Sequence, residues 1–302
     1  MITVFTPTYN RGYILHQLYT SLKNQTSDNF EWIIVDDDST DDTEQVVASF
    51  ESVGNGITYI KQPHGGKHRA INRAVKIAKG DYFFIVDSDD YLTENAIELV
   101  TGWVAAIDSK QIAGVAGLRT SKTGNIWGGK PMIDTGKYIE AGNLERETYN
   151  LMGDKAEIYS TKVLQEHPFP EFENEDFVTE AVVWNWIALD GYKLRWYNEP
   201  IYVCEYLEDG LTKNGANDIA GHLKNPHGFG RYVAVLIKSS GIKMHWNIFL
   251  DYCVIALKKR ISMKSRLDDL QMGFCDYCKY LVYSIIRAIC GRVSRKIRGN
   301  NN

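Results

Sequence analysis

Residues 82–90 read Tyr-Phe-Phe-Ile-Val-Asp-Ser-Asp-Asp, an apolar run that empties into an Asp-x-Asp. A short run of Phe, Ile and Val bounded by polar residues predicts a buried strand. Asp87, Asp89 and Asp90 then stand at the carboxyl end of that strand, where open α/β sheets bind their ligands. Carboxylates flanking one small residue can grip a hard divalent cation and the phosphates it carries. Taken alone, the same residues also describe a solvated acidic turn.

The form recurs twice upstream. Glu31-Trp-Ile-Ile-Val-Asp36-Asp37-Asp38 is a second strand pattern ending in carboxylates, and Ser39-Thr40-Asp41-Asp42 reads as a helix start. Ile2 to Phe5 is a third apolar run, ending in Thr6-Pro7-Thr8-Tyr9-Asn10-Arg11. If these strands are parallel neighbours, their polar ends share one rim and form a site.

The first 120 residues alternate strand and helix patterns. Strands are predicted near 2–6, 31–36, 57–61, 81–87 and 112–118, with helices over 12–24, 41–51, 67–79 and 93–108. That alternation predicts a parallel sheet with right-handed crossovers. Residues 119–153 read as a loop with short strands, and 155–166 as a strand followed by a short helix. Acidic residues crowd 171–180, a helix runs on to Leu189, and strands are predicted near 192–197 and 201–206. From Asn217 onward the pattern is helical.

The 302 residues are 44% hydrophobic and 24% charged, which suits a globular chain with a sizeable core. The net charge of −4 is unevenly placed: residues 258–302 hold 11 Lys/Arg against three Asp, hence +8, which leaves −12 on residues 1–257. The basic end suggests a surface that meets something anionic, and Tyr280 to Cys290 could form an amphipathic helix lying on an anionic membrane. Packing on the rest of the chain or in a dimer is the plain alternative. The acidic remainder argues against nucleic acid as a partner. Five cysteines, all beyond residue 203, do not make a disulfide framework and fit a reducing compartment. Cys275-x-x-Cys278 lacks a second pair of ligands and reads as core packing rather than a zinc site. No charged and apolar leader precedes the strand at residue 2, and no run of about 18 apolar residues exists. The expected location is therefore cytoplasmic, with the basic end allowing a peripheral place on the inner face of the cell membrane.

With these motifs in order, the chain resembles a family 2 glycosyltransferase of the GT-A fold, of the bacterial surface-polysaccharide type. The resemblance covers residues 1 to about 212. It rests on Thr6 to Arg11, on Ile34 to Asp41 (with Asp38 where Gly is common), on Gly66-Lys67 through Asn72 with Ala78 to Asp81, and on Val86 to Asp90. It implies a Rossmann-like, mixed and mainly parallel sheet flanked by helices over residues 1–212, followed by a helical, basic extension over 213–302. It also implies a nucleotide-sugar donor, with a UDP-sugar expected, and an acceptor hydroxyl on a glycan or lipid-linked sugar. By position, Asp37 would pair with the donor base, and Pro7 and Tyr9 would line its pocket. Asp87 and Ser88 would lie near the ribose and diphosphate, Lys67 would reach the diphosphate, and Asp89 would ligate Mn²⁺ or Mg²⁺.

Inverting transfer needs a base within hydrogen-bond reach of the acceptor hydroxyl. The family usually supplies the Asp of a Glu-Asp pair at a helix start. Glu175-Asp176 is the literal pair; Thr179-Glu180 has the better spacing before Gly191. Glu180 is the favoured base and Asp176 the alternative, and either could instead cap a helix. Leu207 to Asn214 would form a loop closing over the donor. Two competing functions remain: a nucleotidylyltransferase, which would want a Gly-rich basic loop after the first strand, and a donor-binding protein without catalysis, which a turnover assay separates.

Overall fold

The computed structural model describes residues 1–204 and 219–299. The N-terminal half runs β1 (Ile2–Thr8), α1 (Gly12–Lys23), β2 (Phe30–Asp36), α2 (Thr43–Ala48), β3 (Ile57–Lys61), α3 (Lys67–Ile77) and β4 (Tyr82–Ile85). There follow β5 (Tyr91–Leu92), α4 (Ala96–Ala105), β6 (Ile112–Thr120), β7 (Tyr138–Ala141), a 3₁₀ turn at Asn143–Glu145, β8 (Lys155–Ser160), α5 (Thr161–Glu166), α6 (Ala181–Leu189) and β9 (Lys193–Val203). The chain then becomes helical: α7 (Ile219–Lys224), α8 (Pro226–Ser240), α9 (Ile242–Lys258), α10 (Met263–Leu270) and α11 (Phe274–Gly299).

Nine strands form one mixed sheet in the order β3-β2-β1-β4-β8-β6-β9-β5, with β7 on β9. Strands β3, β2, β1 and β4 are parallel neighbours. Beyond them β8 runs antiparallel to both β4 and β6. Side chains alternate between two cores, as a pleated sheet covered on both faces requires. Ile2, Val4, Trp32, Ile34 and Phe84 pack with α1, α2 and α4. Phe5, Ile33, Val35 and Phe83 pack with α3, α5 and α6. This is the α/β, GT-A architecture expected from the sequence.

Three expectations are corrected. The strands read near 192–197 and 201–206 are one strand, β9. Its pairing with β7 covers Leu194 to Tyr197 and with β5 Tyr202 to Val203, so Pro200 falls where that side of the strand is free. The helix read over 93–108 is shorter and preceded by the two-residue β5. Cys278 is half-buried against the C-terminal core, as expected, but Cys275 is exposed, so only one of the pair packs. Among the described residues no three His, Cys, Asp or Glu side chains gather as a metal site.

The C-terminal helices build a third core around Phe229, Val233, Phe249, Tyr252 and Leu270. Val235 of α8 joins the α6 side of the sheet core, so this extension packs on the α/β part. The expected boundary at 212, the end of the second predicted strand and the Leu207 to Asn214 loop lie outside the described residues. No described helix is long and apolar enough to cross a membrane. On α11, Val282, Ile285, Ile286 and Ile289 are all more than 40% exposed, and their spacing puts them on one helical face.

Candidate active site

Parallel pairing brings the ends of β1, β2, β3 and β4 to one rim. Thr8 stands opposite Asp36, and Asp36 opposite Lys61. The loops after β1 and β2 are stitched together: Asn10 N–H donates to Ser39 Oγ at 2.8 Å, and Thr40 N–H to Asn10 Oδ1 at 2.8 Å. Asp38 has φ +73°. That is a left-handed conformation in which Gly is free of strain and Asp is tolerated.

Asp36 is fully buried and structural, accepting Ser39 N–H and the Tyr59 hydroxyl. Asp37 organises the turn after β3. Its Oδ1 accepts Gln62 Nε2 at 2.8 Å and Gly65 N–H at 3.0 Å; its Oδ2 accepts Gly66 N–H at 2.8 Å and lies 2.9 Å from His64 Nδ1. Each oxygen carries two contacts, so a nucleobase would use the acceptor capacity left over. The half-exposed Tyr9 ring rests on the His64 ring with centroids 4.8 Å apart. Pro7 is half-buried beside Val35.

At β4 the ladder ends when Val86 N–H bonds Phe5 O at 2.8 Å. Asp87 N–H turns away to the Tyr202 hydroxyl at 3.0 Å, and that hydroxyl donates to Asp90 Oδ2 at 2.7 Å. Arg119 of β6 stacks over the Tyr202 ring at 4.2 Å. Ser88 is buried. Lys67, the first residue of α3, places its ammonium 2.6 Å from Asp87 Oδ1 and 2.9 Å from Glu180 Oε1. Glu180 stands at the start of α6.

The carboxylates separate electrostatically. Burial opposes ionisation of Asp87, but Lys67 and then Arg119 outweigh it and hold its carboxyl below the usual range. Burial also opposes the charge on Lys67, which Asp87 and Glu180 nevertheless raise. Burial and then the Asp87 charge push Asp89 upward, and push Asp90 up to about 8. Asp89 makes no ion pair among the described residues. A half-buried carboxylate beside a like charge, without an ion pair among the described residues, fits a divalent ion that also binds substrate phosphates.

The site residues read from sequence therefore fall into two groups. Asp87, Asp89, Lys67 and Glu180 converge, with Ser88 between the aspartates. Pro7, Tyr9 and Asp37 form the neighbouring wall. Asp176 stands apart: its carboxylate pairs with Lys224 at 2.5 Å. Arg119 and Tyr202 escaped the sequence reading because nothing near them in the chain marks them as facing the acidic turn. Beyond the turn after β3 lies a cavity of about 630 Å³ lined by His64, Arg69, Arg73, Glu171 and Asp176, among others.

Residues 3–166, just over half the chain, match Glycosyl transferase family 2. The chain belongs to that family. Glycosyltransferase GlyG of Streptococcus pneumoniae serotype 4 is 36% identical over 115 residues, 38% of each protein. Chondroitin synthase of Pasteurella multocida is 35% identical over 99 residues, 33% of this chain and 10% of the synthase. The matched stretch thus spans well under half of these relatives. Among solved structures, S. aureus TarS 1–349 in complex with UDP-GlcNAc aligns with TM-score 0.61 at 20% identity, covering 93% of this chain and 81% of that one. Mannosyltransferase PcManGT from Pyrobaculum calidifontis, in complex with GDP-Man and Mn²⁺, aligns with TM-score 0.53 at 16% identity, covering 95% and 84%. These likenesses establish the fold.

Proposed function

We propose that this glycosyltransferase is metal-dependent and inverting, and moves a sugar from a UDP-sugar to a hydroxyl of a glycan or lipid-linked acceptor in polysaccharide biosynthesis. The observation that carries the proposal is the meeting of Lys67, Asp87 and Glu180 beside Asp89 on the rim of the parallel sheet. Pro7, Tyr9 and Asp37 take the nucleoside, while Asp87, Ser88 and Lys67 take the ribose and diphosphate. Asp89 holds Mn²⁺ or Mg²⁺, which supplies positive charge against the phosphate that leaves. UDP-GlcNAc on TarS and Mn²⁺ with GDP-Man on PcManGT support this kind of donor and ion.

Glu180 is the base. It takes the proton from the acceptor hydroxyl as that oxygen attacks the anomeric carbon, and one displacement inverts the configuration. Lys67 bridges Glu180 and Asp87. Drawing Lys67 toward an incoming diphosphate releases the Glu180 carboxylate for the acceptor. Asp176, held by Lys224, is the poorer candidate.

The exposed apolar face of α11, next to the basic C-terminal stretch, supports a peripheral place on an anionic membrane, on the cytoplasmic side. UDP release from a nucleotide-sugar panel with Mn²⁺ separates the two bases. Glu180→Gln is expected to lose about 10²-fold or more, and Asp176→Asn to stay close to wild type. The reverse pattern would assign the base to Asp176.

A further inference from the structure

We infer that the start of α8 positions the segment carrying Glu180, with Asn225 and Glu175 as the positioning residues; this rests on the reading of Glu180 as the base. Residues 171–179 contain no helix or strand, and the chain enters α6 directly at Glu180. Backbone groups in such a segment need partners from elsewhere. Two come from one side chain: Asn225 Oδ1 accepts Asp176 N–H at 2.9 Å and Phe177 N–H at 3.2 Å. The exchange runs the other way as well. Glu175 Oε1 accepts His227 N–H at 2.7 Å, and its Oε2 accepts Gly228 N–H at 2.8 Å. These N–H groups belong to the first turn of α8, which has no partners within its own helix. Asn225 and Glu175 are both buried.

The lock is tight on both sides. A Cβ at Gly228 would stand 2.8 Å from Phe177 O, so α8 approaches the segment as closely as glycine permits. His227 Nδ1 lies 2.9 Å from Asp269 Oδ2, which also accepts the Tyr252 hydroxyl at 2.7 Å, anchoring the start of α8 to α10 and α9. On the opposite side the Asp176 carbonyl packs on Gly66, where a Cβ would stand 1.7 Å from it. Gly66 immediately precedes Lys67, whose ammonium meets Glu180. The helical extension is therefore built into the geometry of the base. If it served only to cap α8, bonds to the backbone at 176 and 177 would be superfluous.

The test uses the full chain as wild type, Asn225→Ala, Asn225→Asp, Glu175→Gln and Glu180→Gln. UDP release is measured with Mn²⁺ and UDP-Glc, UDP-GlcNAc, UDP-Gal or UDP-GalNAc, UDP binding by calorimetry, and amide exchange by mass spectrometry. Asn225→Ala and Glu175→Gln are expected to lower kcat about 10- to 100-fold, the effect of a misplaced catalytic group. KM for the donor and Kd for UDP should stay within about twofold, and Asn225→Asp should restore most of the rate. The amides of residues 176–177 should exchange about tenfold faster in Asn225→Ala, with the sheet unchanged. Loss of kcat and of UDP stoichiometry in proportion would reduce the contacts to a structural role and overturn the inference. So would wild-type exchange at 176–177, a readout that needs no turnover. If Glu180→Gln is inactive and Asn225→Ala is normal, positioning alone fails; if Glu180→Gln retains wild-type release, the base reading fails and takes the inference with it.

Discussion

Gly66 is where the turn after β3 meets the segment leading to Glu180, the proposed base, and Gly66→Ala tests that junction. Its backbone stands at φ +90°, ψ 163°, a region essentially restricted to glycine that costs about 1–3 kcal/mol for other residues. A Cβ there would also lie 1.7 Å from the Asp176 carbonyl oxygen, so one backbone must move. Overpacking of that kind costs about 1–3 kcal/mol. Gly56 gives the control: φ is +117° there too, but nothing lies within 4 Å of an added Cβ. Gly56→Ala therefore carries only the conformational cost. The two variants should differ by about 1–3 kcal/mol, or roughly 2–12 °C in Tm at about 2–4 °C per kcal/mol. Thermal unfolding followed by circular dichroism measures this. Moving Asp176 also moves Lys67 and Glu180, so UDP release should fall about 100-fold in Gly66→Ala and hold in Gly56→Ala. Equal Tm values with equal turnover would refute the contact.

Three further outcomes are expected. Tyr202→Phe removes the hydroxyl that serves both Asp87 N–H and Asp90; urea unfolding should show a loss of about 2 kcal/mol, and a loss below about 0.5 would contradict the pairing. Burial holds the His68 imidazole down at about 4, against about 6.5 in the unfolded chain. The folded state thus favours neutral His68; this contribution is full above pH about 6.5 and fades as pH falls toward 4, amounting to about 2–4 kcal/mol. His68→Leu should flatten that part of the stability–pH curve, and an unchanged curve would place the proton elsewhere. Ile285→Glu with Ile289→Glu, both exposed, should leave Tm unchanged and stop the chain sedimenting with phosphatidylglycerol vesicles; equal sedimentation would remove the membrane reading.

The rim of the site was legible because it is local. Each of β1, β2 and β4 announces itself as an apolar run, and its polar end follows within a few residues. Asp38 takes the left-handed conformation in that turn. Lys67 was legible by its place after Gly66, though its bridge between Asp87 and Glu180 was not. What stayed hidden depends on contacts across the chain. Arg119 and Tyr202 reach the acidic turn from β6 and β9, which lie two and three places from β4 in the mixed half of the sheet. Glu175 read as half of a Glu-Asp pair before α6, yet it is spent on the first turn of α8. Asn225 carries no sequence signal, since its partners lie 48 and 49 residues upstream. Spacing favoured Glu180 over Asp176, but the cations facing them, Lys67 and Lys224, come from distant helices and left no mark near either acid.

The most direct test of the account is UDP release from a panel of UDP-sugars with Mn²⁺, comparing wild type with Asp89→Ala, with calorimetry of UDP and Mn²⁺ on both. The account predicts release from one donor in the wild type, lost in Asp89→Ala together with the Mn²⁺ dependence of UDP binding. Wild-type protein that binds neither UDP nor Mn²⁺, or an Asp89→Ala variant that turns over as fast as wild type, would contradict it.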